Sequence, residues 1–65
     1  MKATASIQTA IVRSIFGRNI NSTLAGKIYT IAYAIAPIKT LGAVRTKLNE
    51  LHASPIFRRR VEALA

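Results

Sequence analysis

The sequence contains no cysteine and almost no acid. Ten Lys and Arg residues stand against two carboxylates among its 65 residues, which gives a net charge of +8, and no Asp or Glu precedes Glu50. Without cysteine the chain forms neither a disulfide nor a thiolate metal site, which excludes a disulfide-stapled secreted scaffold. The excess of positive charge attracts anions, whether phosphate backbones, lipid headgroups or an acidic protein partner.

Side chains that could carry catalysis are scarce. General acid–base catalysis needs positioned titratable groups, and the candidates are His52, Glu50 and Glu62. His52 and Glu50 are two residues apart, so on a helix they point to different faces. One histidine without cysteine makes no zinc site unless partner chains contribute, and three scattered glycines make no phosphate-binding loop. We therefore expect no enzyme activity, metal, cofactor or small-molecule substrate, and interpret His52 as a residue at a helix C-terminus.

Aromatic residues are scarce as well, and tryptophan is absent. They make up 6% of a chain that is 51% hydrophobic, mostly through Ile and Ala. A domain of this length buries only about 60% of the surface that its unfolded chain exposes, and small domains usually need staples. We therefore expect the chain to lack a self-sufficient globular core and to gain its stability from an assembly or a membrane.

Helix-breaking residues divide the chain, and no alternation typical of a strand appears. Gly17 ends a first helix, and Pro37 and the pair Ser54-Pro55 mark later boundaries. Pro37 either kinks one long helix or begins a new one as its first residue. The sequence predicts an all-α fold of three to four short helices in one subunit of residues 1–65, over residues 2–16, 22–36, 38–52 and 55–64.

Four residues of the first predicted helix form a narrow polar strip, Lys2, Ser6, Thr9 and Arg13. The wide apolar arc that remains suits a helix sunk into protein or lipid. The first 20 residues are also Arg-bearing, rich in Ser and Thr and free of acids, which is typical of a mitochondrial transit segment. A plain basic helix has the same composition.

Two stripes run along the second predicted helix. Large apolar residues at spacings of four and three form a heptad seam, made of Leu24, Ile28, Ile31, Ile35 and Ile38. Small residues four apart form a second stripe on the opposite side, made of Ser22, Gly26, Thr30 and Ala34. Small side chains let a neighbouring backbone approach closely, although this spacing also arises by chance in an alanine-rich chain. We predict that both stripes are helix-packing interfaces with other protein subunits.

The apolar stretch around this helix has nearly the length of a membrane span. Residues 20–38 contain one internal charge, Lys27, and a helix of that length measures about 28 Å. Lys27 and Lys39 could extend to opposite headgroup layers. The alternatives are a helix that lies flat on a membrane surface and a helix buried in a soluble or viral assembly. The all-α prediction therefore includes one kinked membrane-spanning helix flanked by amphipathic helices as an open option.

The chain order up to this stretch has a counterpart in a known family. A short helix, then Phe16-Gly17-Arg18-Asn19, then the apolar stretch resembles the one-span small subunits of the cytochrome bc1 complex, over less than half of the chain. The acidic and aromatic residues that follow the span in those subunits are missing here. The resemblance implies a small subunit of a respiratory complex and does not assign the chain to the family.

Eight cations of the chain are candidates for contact with lipid headgroups or phosphates. The predicted anion contacts are Arg13, Arg18, Lys39, Arg45, Lys47, Arg58, Arg59 and Arg60. The run at 58–60 is the densest of them, and a solvated helix face is its alternative interpretation.

Two functions from different classes follow. The first is a non-catalytic structural subunit of a larger membrane protein complex, a respiratory or ATP synthase assembly of the mitochondrial inner membrane, with anionic lipid as a partner. The second is a structural protein of a virion or helical assembly, which packs subunit to subunit and turns Lys and Arg toward packaged nucleic acid. In that case we expect contacts to the backbone rather than to bases, because aromatic interleaving is missing.

Overall fold

Four helices make up the described part of the chain. The computed structural model describes residues 4–64, which form α1 (Ala5–Phe16), α2 (Ser22–Ile35), α3 (Leu41–Ala53) and α4 (Pro55–Leu64). No strand occurs among these residues, so the all-α prediction is confirmed for them.

Each helix begins at a residue whose side-chain oxygen accepts a hydrogen bond from the backbone N–H three positions later. Such a cap satisfies one of the free amides of a helix N-terminus. The four caps are Thr4, Asn21, Thr40 and Ser54, with distances between 2.8 and 3.4 Å. Capping therefore sets where each helix begins.

The first helix is shorter than predicted. Residues 2 and 3 of the predicted range lie outside the described residues, and the helix begins at Ala5 because Thr4 is its cap. It ends at Phe16, where Gly17 has φ +127° and ψ 152° and still donates its N–H to the carbonyl of Arg13 at 3.0 Å. Only glycine adopts this backbone conformation readily, which explains the sharp end.

Pro37 separates α2 from α3, and both interpretations of it are wrong. The ring of a proline disfavours helical backbone in the preceding residue, and Ala36 is accordingly extended, with φ −66° and ψ 130°. The following helix begins only at Leu41, after the cap Thr40. A continuous helix over residues 20–38 therefore does not form. None of the helices within residues 4–64 has the length and apolar character to cross a membrane.

The four helices enclose one apolar core, and the expectation that this core does not suffice for stability without an assembly or a membrane stays a prediction. Its buried residues come from every helix: Val12, Leu24, Ala25, Ile28, Tyr29, Ala32, Ala36, Val44, Leu48, Phe57 and Val61. The radius of gyration is 10.6 Å, against about 10.7 Å for a compact folded chain of this length. The second helix supplies more of the core than any other.

Packing places α2 and α3 at the centre of the molecule. The first three helices pack against one another, and α4 packs on α3 and α2. At one end the ring of Phe16 meets the ring of His52 edge-on, with centroids 4.9 Å apart, and that of Phe57 at 6.2 Å. These contacts join α1, α3 and α4, and His52 lies in the last turn of α3.

Candidate polyanion-binding surface

The heptad seam of α2 divides into a buried part and an exposed part. Leu24 and Ile28 lie in the core, and Ile31 is half-buried. The last two members are open to solvent, Ile35 by 51% and Ile38 by 62%. Because α2 ends at Ile35, the chain has left the helical path before Ile38. The first residues of the seam therefore pack in the core of the chain itself. That its last residues contact other subunits stays a prediction.

The small-residue stripe faces outward. Ser22, Thr30 and Ala34 are exposed and Gly26 is half-buried. No described atom outside its own helical turn lies within 4 Å of the point where a Cβ on Gly26 would stand. No backbone of the described chain outside α2 therefore approaches Gly26 closely. Its use as an interface with another subunit stays a prediction.

Both lysines among the predicted anion contacts are engaged within the chain. The ammonium of Lys47 lies 3.3 Å from Glu50 Oε1, the sole ion pair among the described residues. The ammonium of Lys39 donates to the carbonyls of Tyr33, Ala34 and Ala36, the last two at 3.2 and 2.9 Å. Lys39 thereby satisfies free carbonyls at the C-terminus of α2, where a cation is favourable.

Apart from Lys39, seven described cations are exposed and have no acidic partner. They are Arg13, Arg18, Lys27, Arg45, Arg58, Arg59 and Arg60, and we call them the basic surface. Six of them are predicted anion contacts. Lys27 was missed because its place in a long apolar stretch made it a candidate for anchoring a membrane span. Its exposure follows from its position on the outer side of α2, away from the buried Ile28 and Ala32.

The arginine run of α4 does not form a single patch. Successive residues of an α-helix point about 100° apart, and Phe57 and Val61 face the core. Arg58 and Arg60 consequently lie on the two flanks of α4, and Arg59 lies on its outer side. A polyanion that contacts all three must wrap around the helix or run across its end.

The outer face of α3 combines small and polar side chains with one cation. Asn49 Nδ2 donates to the carbonyl of Arg45 at 3.1 Å, and Thr46 Oγ1 donates to the carbonyl of Gly42 at 3.0 Å. All four residues are exposed. The lack of a side chain at Gly42 leaves room for close approach of a ligand, and Arg45 supplies a charged fork that suits phosphate oxygens.

The tyrosine pair of α2 is part of the interior rather than of this surface. The rings of Tyr29 and Tyr33 are stacked with centroids 6.4 Å apart, and Tyr29 is 1% exposed. Burial, with a smaller contribution from Tyr33, raises the pKa of Tyr29 above its ordinary value. A neutral, buried phenol of this kind contributes packing and no charge.

The chemistry available at the basic surface is electrostatic neutralisation and hydrogen bonding to oxyanions. Among residues 4–64 no three His, Asp or Glu side chains come together in a way that could hold a metal ion. In comparisons with known proteins, no family model matches the chain, and neither a curated protein nor a solved structure matches it.

Proposed function

We propose that this protein is a small, non-catalytic structural protein that binds the phosphate backbone of nucleic acid. The observation that supports this proposal is the basic surface, whose seven exposed cations have no acidic partner, against one ion pair in the described chain. Cations that are not neutralised by the protein's own acids are free to displace the counterions of a polyanion, which is the main source of sequence-independent affinity.

The distribution of these cations favours a long ligand over a small one. Arg18 lies between α1 and α2, Arg45 lies on α3, and the arginines at 58–60 lie on three sides of α4. A polymer with regularly spaced phosphates can contact such separated charges at the same time, whereas a small anion contacts one or two. A packaging protein, of a virion or another nucleic-acid assembly, would use this arrangement without base recognition.

A second function is favoured by a different observation. Three apolar side chains are exposed at the connection between α2 and α3, Ile35 by 51%, Ile38 by 62% and Leu41 by 46%. Exposed apolar groups of this kind mark contacts with proteins or membranes. The second candidate is therefore a non-catalytic subunit of a membrane protein complex, in the mitochondrial inner membrane, with anionic lipid and other subunits as partners.

Salt-dependent binding to duplex DNA and to RNA tests the first proposal. The logarithm of the affinity should fall linearly with the logarithm of the salt concentration. Replacement of Arg58, Arg59 and Arg60 by Gln should reduce the slope by up to about 2.7, since each lost phosphate contact accounts for about 0.9. Absence of salt-dependent binding to either polymer contradicts the proposal.

A charge-neutral variant of α3 provides the matched control. Arg45→Gln removes a cation of the basic surface and should lower the slope by about 0.9. The double variant Lys47→Gln, Glu50→Gln removes the ion pair on the same helix, leaves the net charge unchanged, and should leave the slope as it is. If Arg45→Gln and the double variant change the salt slope equally, Arg45 does not contact the phosphates.

Sedimentation with vesicles distinguishes the second candidate. A membrane subunit should bind vesicles of anionic lipid and bind nucleic acid weakly at physiological salt. Removal of each cation near the surface should then cost about 1 kcal/mol of vesicle binding. Ile38→Ser should weaken binding to vesicles if the apolar residues insert, and should leave nucleic-acid binding unchanged.

A further inference from the structure

A groove between α1 and the start of α2 is lined by hydroxyl side chains that the proposed function does not use, together with Arg13 of the basic surface. It has a volume of about 400 Å³ and its lining consists of Ala5, Ser6, Thr9, Ala10, Arg13 and Ser22. Three of these residues belong to the polar strip of the first helix, whose fourth member, Lys2, lies outside the described residues. The strip therefore borders a shallow groove that is open to solvent.

The hydroxyls of the groove differ from three other hydroxyls within the helices. Those of Ser14, Thr30 and Thr46 donate to a carbonyl of their own helix, at 2.7 to 3.0 Å. Those of Ser6, Thr9 and Ser22 have no hydrogen-bond partner among residues 4–64. The groove thus brings together three donors that are free to bind a ligand.

Arg13 is held at the groove by the connection that follows its helix. Its Nε donates to the carbonyl of Ile20 at 2.7 Å. This bond fixes the plane of the guanidinium and leaves its two terminal nitrogens, which have no other partner in the described chain, to face a ligand. A guanidinium with two parallel donors matches two oxygens of a phosphate.

We propose that this groove binds one phosphate group. The terminal nitrogens of Arg13 hold two of its oxygens, and the hydroxyls of Thr9 and Ser22 donate to the others. Ser22 is also the first residue of α2, so the positive end of that helix adds to the attraction. The site goes beyond the proposed function, because neutralisation of a polymer by scattered cations requires no discrete site. The phosphate belongs either to a small molecule or to a polymer backbone.

Titration of the full chain with inorganic phosphate, followed by amide chemical shifts, tests the site. We expect saturable shifts confined to the amides around Ser6, Thr9 and Ser22. Arg13→Gln should weaken binding about tenfold or more, because it removes a charge-assisted double hydrogen bond. Arg18→Gln is the matched control, since it removes the same charge five positions later and outside the groove, and it should change the affinity less than twofold.

A second variant covers the event that Arg13→Gln disturbs the fold by losing the bond to Ile20. Thr9→Val keeps the shape of the side chain, removes one donor, and should weaken phosphate binding about threefold. Equal losses in Arg13→Gln and Arg18→Gln, or shifts spread over the cations of α3 and α4, would overturn the proposal, because general attraction to the charged surface would then explain binding.

Two oligonucleotides identify the source of the phosphate. One carries a terminal phosphate monoester and the other carries only backbone diesters. Shifts in the groove with both support a polymer backbone as the ligand, and shifts with the first alone support a monoester. Absence of shifts in the groove with both oligonucleotides and with inorganic phosphate refutes the site. Binding of nucleic acid through α3 and α4 can persist in that case, so failure of the site is separate from failure of the proposed function.

Discussion

Replacement of Gly26 by alanine should stabilise the isolated protein. Gly26 lies in the interior of α2 and is half-buried. No described atom outside its own helical turn lies within 4 Å of the added Cβ, so the methyl group meets no steric conflict. The hydroxyl of Thr30 donates to the Gly26 carbonyl at 2.8 Å, and that bond does not involve the Cα substituent.

The expected gain comes from the backbone. Glycine in a helix interior is less favourable than alanine by about 0.5–1 kcal/mol, because it loses more conformational freedom on folding. For a domain of this size, about 1 kcal/mol shifts the Tm by roughly 4–8 °C. We therefore expect Gly26→Ala to raise the Tm by about 2–8 °C in a thermal melt followed by circular dichroism, with a matching rise in the urea midpoint.

Gly42→Ala is the matched control, because Gly42 lies in α3 with equally empty surroundings. A Tm that rises for Gly42→Ala and falls for Gly26→Ala would refute the reasoning and show that another backbone contacts α2 in solution, as the small-residue stripe predicts. The larger change Gly26→Leu distinguishes the two environments further. It should be tolerated by the isolated chain and should reduce co-purification with any subunit that packs on this stripe.

Three further predictions concern the helix end, the core and the buried phenol. Gly17→Ala should lower the free energy of unfolding by about 1–3 kcal/mol in urea titrations, because φ +127° is costly for alanine. Leu48→Ala should lower it by about 2–5 kcal/mol, because Leu48 is fully buried, whereas Leu64→Ala, at a residue 39% exposed, should cost less. The fold raises the pKa of Tyr29 above 10.0, so this contribution to stability is present below about pH 10 and is lost as the pH rises through the folded-state pKa. Thermal melts from pH 8 to 11 should show a smaller loss in Tyr29→Phe than in the parent.

Each of these three predictions has a result that would contradict it. A neutral Gly17→Ala would mean that α1 continues past Phe16 in solution. Equal losses in the free energy of unfolding for Leu48→Ala and Leu64→Ala would mean that burial of Leu48 in the core does not stabilise the fold. An identical alkaline loss of stability with and without the Tyr29 hydroxyl would show that ionisation of Tyr29 is not its cause.

Local signals in the sequence predict much of this fold. Gly17 ends the first helix, Ser54 and Pro55 act as the cap and first residue of the last helix, and the second helix begins at Ser22. These features depend on the backbone preferences of one or two residues, so they require no knowledge of the rest of the chain. The effect of Pro37 was not predicted, because its kinked, helix-starting and helix-ending conformations are all locally allowed.

The faces of the helices were harder to predict than their limits. The wide apolar arc of the first helix suggested complete burial, yet only Val12 of α1 is fully buried, and Ile7 is 44% exposed. The number and position of neighbouring helices decide which apolar residues are covered, and this information is spread over the whole chain. Placement in a membrane is the simplest expectation from one helix alone, whereas four helices together can cover one another.

The candidate site was likewise predicted in part. The sequence identifies the cations as candidates for anion contact. It does not show that Lys39 and Lys47 have partners within the described chain whereas the side chain of Arg45 has none. The fold distinguishes them, since Lys39 binds carbonyls at the end of α2 and Lys47 pairs with Glu50. The groove at Arg13 could not be predicted, because it requires the start of α2 to lie beside the polar strip of α1.

The connections between the helices have a consequence for the speed of folding. They comprise residues 17–21, residues 36–40 and the single residue Ser54, and every helix packs on the one that follows it. Closing such short loops costs little entropy, and helical domains with mainly local contacts fold in about microseconds to milliseconds. We therefore expect the chain to bury its apolar core within that time, so that any partner meets a folded protein and not an extended apolar chain.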